Sequence, residues 1–300
     1  MGRVGDVMIA HMPALVAAAL LLLTPLLFAG FAPAQFLRLA DRVRPVHLPL
    51  LSAVLSIPYL TVSISYRAFS LPWFLLYLLL PPSIVGLLLR AKRLDPGERG
   101  TAVDYVVLAL LGLAVDLRWL EPAWPPHLAV FNKVLLLDVG IVGFLGARRL
   151  SGVGFDLRLR AHDALVGLRE FALYAPAAIG LGLWLGFLHL HAGWPRPGQV
   201  TVAALFTFFF IAVQEELFFR GWMQNLLERR LGRWPALTIT AILFGLSHFN
   251  KRAMHFNWRY VLLAALAGVF YGRAWRQDRR VAASALTHTF VDTIWSLTLR

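Results

Sequence analysis

Read for the spacing of its apolar positions alone, the chain is a series of long hydrocarbon runs separated by short polar stretches. The runs lie near residues 8–31, 47–66, 69–90, 102–117, 127–147, 166–190, 199–219, 236–249, 258–275 and 281–299. Several reach the roughly 20 residues that a helix needs to cross a bilayer, and none shows the two-residue alternation of a half-buried strand. The expectation is an all-α fold, a polytopic transmembrane helix bundle of about eight to ten helices. Pro72, Pro81 and Pro82 in the third run predict a kink or a pair of half-spans there, and the run at 236–249 is short for a crossing.

Composition agrees with that reading. Hydrophobic residues make up 59% and charged residues 15%, with a mean hydropathy of +0.67. A soluble domain carries about 25% charged residues. No spacer is long enough for a separate soluble domain, so the whole chain reads as membrane-embedded. The first run ends in Ala32-Pro33-Ala34, which loosely imitates a signal-peptidase site. Its apolar length exceeds the usual h-region, and the nearly neutral start with Arg3 and Asp6 also points to an uncleaved span.

The net charge of +13 invites a nucleic-acid role, but the cations gather in short loops, which is how orientation is encoded. One alternating set of loops holds Arg38, Arg42 and Arg44, then Arg90, Lys92, Arg93 and Arg99, then Arg148, Arg149, Arg158, Arg160 and Arg169. It continues with Arg220, Arg229, Arg230 and Arg233 and ends with Arg273, Arg276, Arg279 and Arg280, most of the 29 Lys and Arg in all. The opposite set is poorer: Arg3, Arg67, Arg118, Arg196, Lys251, Arg252, Arg259 and Arg300. These loops predict an integral protein of the plasma (inner) membrane, with the richer set in the cytoplasm and no nucleic-acid partner. Zero cysteines exclude disulfides and thiolate chemistry.

Against this background, Gln214-Glu215-Glu216-Leu217-Phe218-Phe219-Arg220 stands out, because ionisable groups at membrane depth are by default functional. On a helix, Glu216 and Arg220 share a face while Glu215 is turned about 100° away. Glu216 with Arg220 then reads as an ion pair, and Glu215 as a candidate general base. Phe244 precedes His248 by one turn, and His288 precedes Asp292 by one turn. Alone, each is explained by an ordinary helix-packing hydrogen bond; three such features on three late helices are harder to dismiss. At ~1.5 Å per residue, His248 lies about 20 Å and His288 about 10 Å from the predicted cytoplasmic ends. Glu215 joins them if its helix runs on past Arg220 through the amphipathic stretch 222–231.

These residues carry a resemblance. Glu-Glu-x-x-x-Arg, Phe-x-x-x-His and His-x-x-x-Asp, complete and in order over roughly residues 200–296, resemble the motif set of the CPBP family, named for CAAX proteases and bacteriocin-processing enzymes. That family includes the type II CAAX prenyl endopeptidases. The resemblance implies an intramembrane endopeptidase whose catalytic bundle is residues 166–300, with residues 1–165 as N-terminal helices of unassigned role. It implies that Glu215 and His248 activate a water, that Glu216 and Arg220 support the helix beside Phe244 and Asn250, and that His288 with Asp292 completes the site. The family often has Asn at the last position; an ionised Asp cannot donate a hydrogen bond to an oxyanion, so Asp292 is protonated, orients His288 or binds a metal.

Amide hydrolysis needs a base for water, a donor for the oxyanion and a proton for the leaving amine, which these residue types supply without a cofactor. Glu215, His248 and His288 are also a ligand set for a divalent metal such as zinc, although their spacing is not HExxH. The expected partner is a membrane-anchored protein or peptide: a prenylated CAAX tail, a leader peptide or a sorting tail. Two other classes stay open at this stage. Asp104, Asp116, Lys133 and Asp138 in earlier spans suit a proton- or ion-coupled transporter, with Lys133 and Asp138 also able to pair internally. A non-proteolytic immunity-type membrane protein would keep the fold without the chemistry.

Overall fold

Each apolar run folds as a helix because, without water, only a helix satisfies every backbone group within its own segment. The computed structural model describes residues 2–189, 195–250 and 255–298, with side chains from residue 11 to 297. In order, the helices are α1 (Gly2–Phe31), α2 (Pro33–Arg42), α3 (Leu48–Ser65, with a 3₁₀ turn at Ala53–Ser56) and α4 (Leu71–Leu94). They continue with α5 (Ala102–Asp116), α6 (Ala129–Ala147), α7 (Ala161–Trp184) and α8 (Pro197–Leu231). The last three are α9 (Arg233–Leu246), α10 (Trp258–Asp278) and α11 (Val281–Thr298). All ten apolar runs fall on helices, and no strand occurs among the described residues. Among the described residues, six helices are long and apolar enough to cross a membrane: α1, α3, α4, α6, α7 and α8. Pro81 and Pro82 sit inside an α4 that is assigned as one helix from Leu71 to Leu94.

The chain divides into two compact units, residues 1–151 and 152–300. In the first, polar groups inside the helices are mostly structural. Asp104 closes a capping box with Thr101 and takes Arg148 Nε at 2.9 Å, while Arg148 Nη2 reaches Asp95 at 2.7 Å. Tyr77 donates to Asn132 Oδ1 at 2.9 Å and accepts from Trp124 Nε1 at 2.8 Å. Lys133 and Asp138 do not pair: the helix turns Lys133 outward, exposed, while Asp138 is fully buried. His11 faces Ser65 Oγ at 2.9 Å and stacks on Tyr66.

In the second unit, α7, α10 and α11 pack around the core that α8 and α9 complete. Residues 152–160 lead into it along a fixed path. Gly154 has φ +73°, and a Cβ there would lie 1.6 Å from the Arg279 carbonyl oxygen, so no side chain fits. Its own carbonyl accepts from the Val281 N–H at 2.9 Å, fixing the α10–α11 turn. Arg280 then grips Asp163 through two hydrogen bonds of 2.7 and 2.9 Å and reaches Asp156 at 3.3 Å. Trp222 and Trp275 are core residues at 1% and 0% exposure. Trp275 Nε1 donates to Val153 O, so the indole is used to close the turn. Trp234 and Trp258 are exposed. Expectations for His191, Trp194, Lys251, Arg252, Arg300 and the side chains of Arg3 and Asp6 lie outside the described residues.

Candidate active site

The long helix α8 places the acidic pair. It is continuous over 35 residues, so the expected continuation past Arg220 is present. Its middle is irregular: π-helical turns at Phe208–Ala212 and Leu217–Gln224 flank a single α turn, Val213–Glu216. Such π turns open the helix at a cost and recur at functional sites. Here the second one starts immediately after Glu216 and carries Arg220.

Glu216 and Arg220 are both fully buried and joined at 2.9 Å from Nη1 to Oε1. The guanidinium also donates to the Gly268 carbonyl at 3.0 Å and lies 4.6 Å from the Phe244 ring centroid and 5.2 Å from that of Tyr271. Glu216 does more than neutralise the arginine. Its Oε1 also lies 2.9 Å from His288 Nδ1, and its Oε2 accepts from the Ser284 hydroxyl. The other ring nitrogen of His288, Nε2, faces Asp292 Oδ2 at 3.4 Å, and the ring stacks on Tyr271 at 4.6 Å with 15° between planes. Glu216, His288 and Asp292 therefore form one chain. Its inner end is dry, whereas the Asp292 side chain is 35% exposed.

His248 enters from the end of α9. Its Nδ1 lies 2.9 Å from the Phe244 carbonyl. A carbonyl only accepts, so Nδ1 carries a proton. The ring packs against Phe244 at 4.9 Å and Tyr260 at 5.1 Å. The Phe244 ring is thus the junction of the site: Arg220 lies over it, and His248 and His288 flank it at 4.9 and 5.8 Å. Glu215 sits half-buried beside Glu216 on the same turn. Asn250 is exposed in the turn after α9, and His255 is exposed as well.

The spacing of the sequence announced the Glu216–Arg220 and His288–Asp292 pairs. It did not announce Ser284, Tyr271 or Tyr260. Ser284 is one turn before His288 on the face that also holds Asp292, so reading that face as 284/288/292 finds it. Tyr271 and Tyr260 carry no such signal.

For a metal to be held by Glu215, His248 and His288, each histidine must offer a nitrogen lone pair. His288 faces a carboxylate with each ring nitrogen, Glu216 at Nδ1 and Asp292 at Nε2. Among the described residues, no three His, Asp or Glu side chains gather into a set that could hold a metal ion.

Comparison with known proteins bears on the same helices. Residues 196–294 match the family described as Type II CAAX prenyl endopeptidase Rce1-like. The match spans α8 to α11 and contains all three motifs, and it supports the CPBP resemblance and, with it, a CAAX-type endopeptidase set in the membrane. No curated protein and no solved structure matches the chain.

Proposed function

Starting from the similarity of residues 196–294 to the Rce1-like type II CAAX prenyl endopeptidases, we propose that the protein hydrolyses a peptide bond in a membrane-anchored protein or peptide, by a water activated on side chains alone. The observation that carries this reading is the convergence on Phe244: one residue from each motif, Arg220, His248 and His288, meets its ring.

In this reading, Glu215 is the general base. It takes a proton from the attacking water as the new C–O bond forms. His248, whose Nδ1 donates to the Phe244 carbonyl, holds that water through its other ring nitrogen, Nε2. Glu216, held by Arg220 and Ser284, fixes the His288 ring through Nδ1. One proton is then shared between His288 Nε2 and Asp292 Oδ2. It stabilises the developing oxyanion and passes to the amine nitrogen as the C–N bond breaks. The proton gained by Glu215 returns through solvent, and Asp292, the exposed end of the chain, is the point of exchange.

The test is cleavage in proteoliposomes with three substrate classes: a prenylated tail, a leader peptide and a membrane-anchored sorting tail. One class should yield a single new terminus by mass spectrometry, with His248→Ala and His288→Ala each about 10²-fold slower or worse. Asp292 gives a sharper arm. Asn keeps an acceptor for His288 and adds a donor, so Asp292→Asn should stay within about tenfold of wild type, whereas Asp292→Leu should lose about 10²–10³-fold. Absence of cleavage in every class, or full activity of both histidine variants, overturns the proposal.

A further inference from the structure

The first unit carries a feature that proteolysis does not use. The amphipathic helix α2 begins two residues after the first span ends and buries no residue. Its Leu37 and Leu39 are exposed, and so is Val46 just beyond it, at 67%. Val43 and, at the end of the α4 span, Leu89 each pack against a core of Leu48, Val85 and Ala147. Both segments on that core are basic: Arg42 and Arg44 flank Val43, and Arg90, Lys92 and Arg93 follow Leu89. Arg38 projects from α2 itself. All six cations are exposed, and none pairs with a carboxylate among the described residues. The nearby acids are taken: Asp41 by Arg149, and Asp95 by Arg148.

An ordinary solvated surface of a protein mixes both signs. This one combines exposed aliphatic side chains with six cations, at the height where two apolar spans end. Arginine and lysine stems lie along apolar surface while their heads seek anions, which matches a leaflet of anionic phospholipid: acyl chains against Leu37, Leu39 and Val46, phosphates against the cations. We propose that residues 33–46 and 89–94 form a collar that binds anionic phospholipid headgroups. The inference is independent of the proteolytic site, which lies in the second unit.

The probe is the full chain in nanodiscs of phosphatidylcholine with a minor fraction of spin-labelled phosphatidylglycerol or spin-labelled phosphatidylcholine. Wild type should immobilise the anionic label preferentially. The preference should fall by about fivefold for each cation removed in Arg42→Gln, Arg44→Gln and Arg93→Gln, and should weaken in high salt. These exposed positions leave the fold intact, which an unchanged melting temperature will verify. Arg118→Gln, on another loop, should change nothing. Equal immobilisation of both labels, or a preference unaffected by the three substitutions, overturns the proposal. So does an acidic peptide that binds the same residues in pure phosphatidylcholine discs when no lipid preference is present, which would assign the collar to a protein partner.

Discussion

Arg220 is the residue on which the second unit depends most locally. It is fully buried, carries its charge between Glu216, the Gly268 carbonyl and two aromatic faces, and has no route to water. Removing one member of a buried pair leaves the other charged and uncompensated, which typically costs 3–5 kcal/mol. Arg220→Met should therefore lower the melting temperature in detergent sharply, while Arg220→Met combined with Glu216→Gln should recover part of the loss. A double variant no more stable than the single would show that Glu216 is not the partner that matters. At this scale the sequence was legible where chemistry follows helical spacing. Glu216 with Arg220 and His288 with Asp292 are one turn apart and could be read directly. The link from Glu216 to His288 spans 72 positions of the chain and depends on how α8 meets α11, so no local pattern records it.

Among elements, α9 packs tightly against α10 at Gly245. A Cβ there would come within 2.5 Å of the Val261 carbonyl oxygen and 2.7 Å of Ala265 Cβ, the small-residue contact by which membrane helices gain packing. Gly245→Val should cost roughly 1–3 kcal/mol of stability and slow turnover as well, because it displaces the helix carrying Phe244 and His248. A fully active, equally stable Gly245→Val would contradict the packing described. The segment 152–160 makes a pH prediction. Hydrogen bonding from Arg158, reinforced by Arg280, lowers the Asp156 carboxyl to about 2, below its ordinary 3.8. A lowered folded value contributes stability above about 3.8, and that stability is lost as pH falls through about 2. Its main partner, Arg158, is exposed to solvent, so the effect is small. Melting curves between pH 5 and 2 should show a drop that Asp156→Asn reduces; an identical drop in the variant would assign it to other acids. The helices themselves were legible because every long apolar run had no other way to satisfy its backbone. The π turns of α8 and the core placement of Trp222 and Trp275 were not, since both are set by neighbours rather than by hydropathy.

For the whole molecule, sequence pattern gave the all-α membrane class and the three motifs. The motif resemblance set the expected boundary at residues 165/166, and the two compact units meet at residues 151/152. The motifs and the family match fall in the second unit alone. The central claim is a division of labour between two adjacent carboxylates, with Glu215 performing the chemistry and Glu216 holding the site. The most direct measurement is turnover in proteoliposomes together with melting temperature, for wild type, Glu215→Gln and Glu216→Gln. Glu215→Gln should keep the wild-type melting temperature and lose about 10²–10⁴-fold in kcat, whereas Glu216→Gln should melt earlier and lose activity with its fold. A Glu215→Gln protein that cleaves at the wild-type rate would contradict the account.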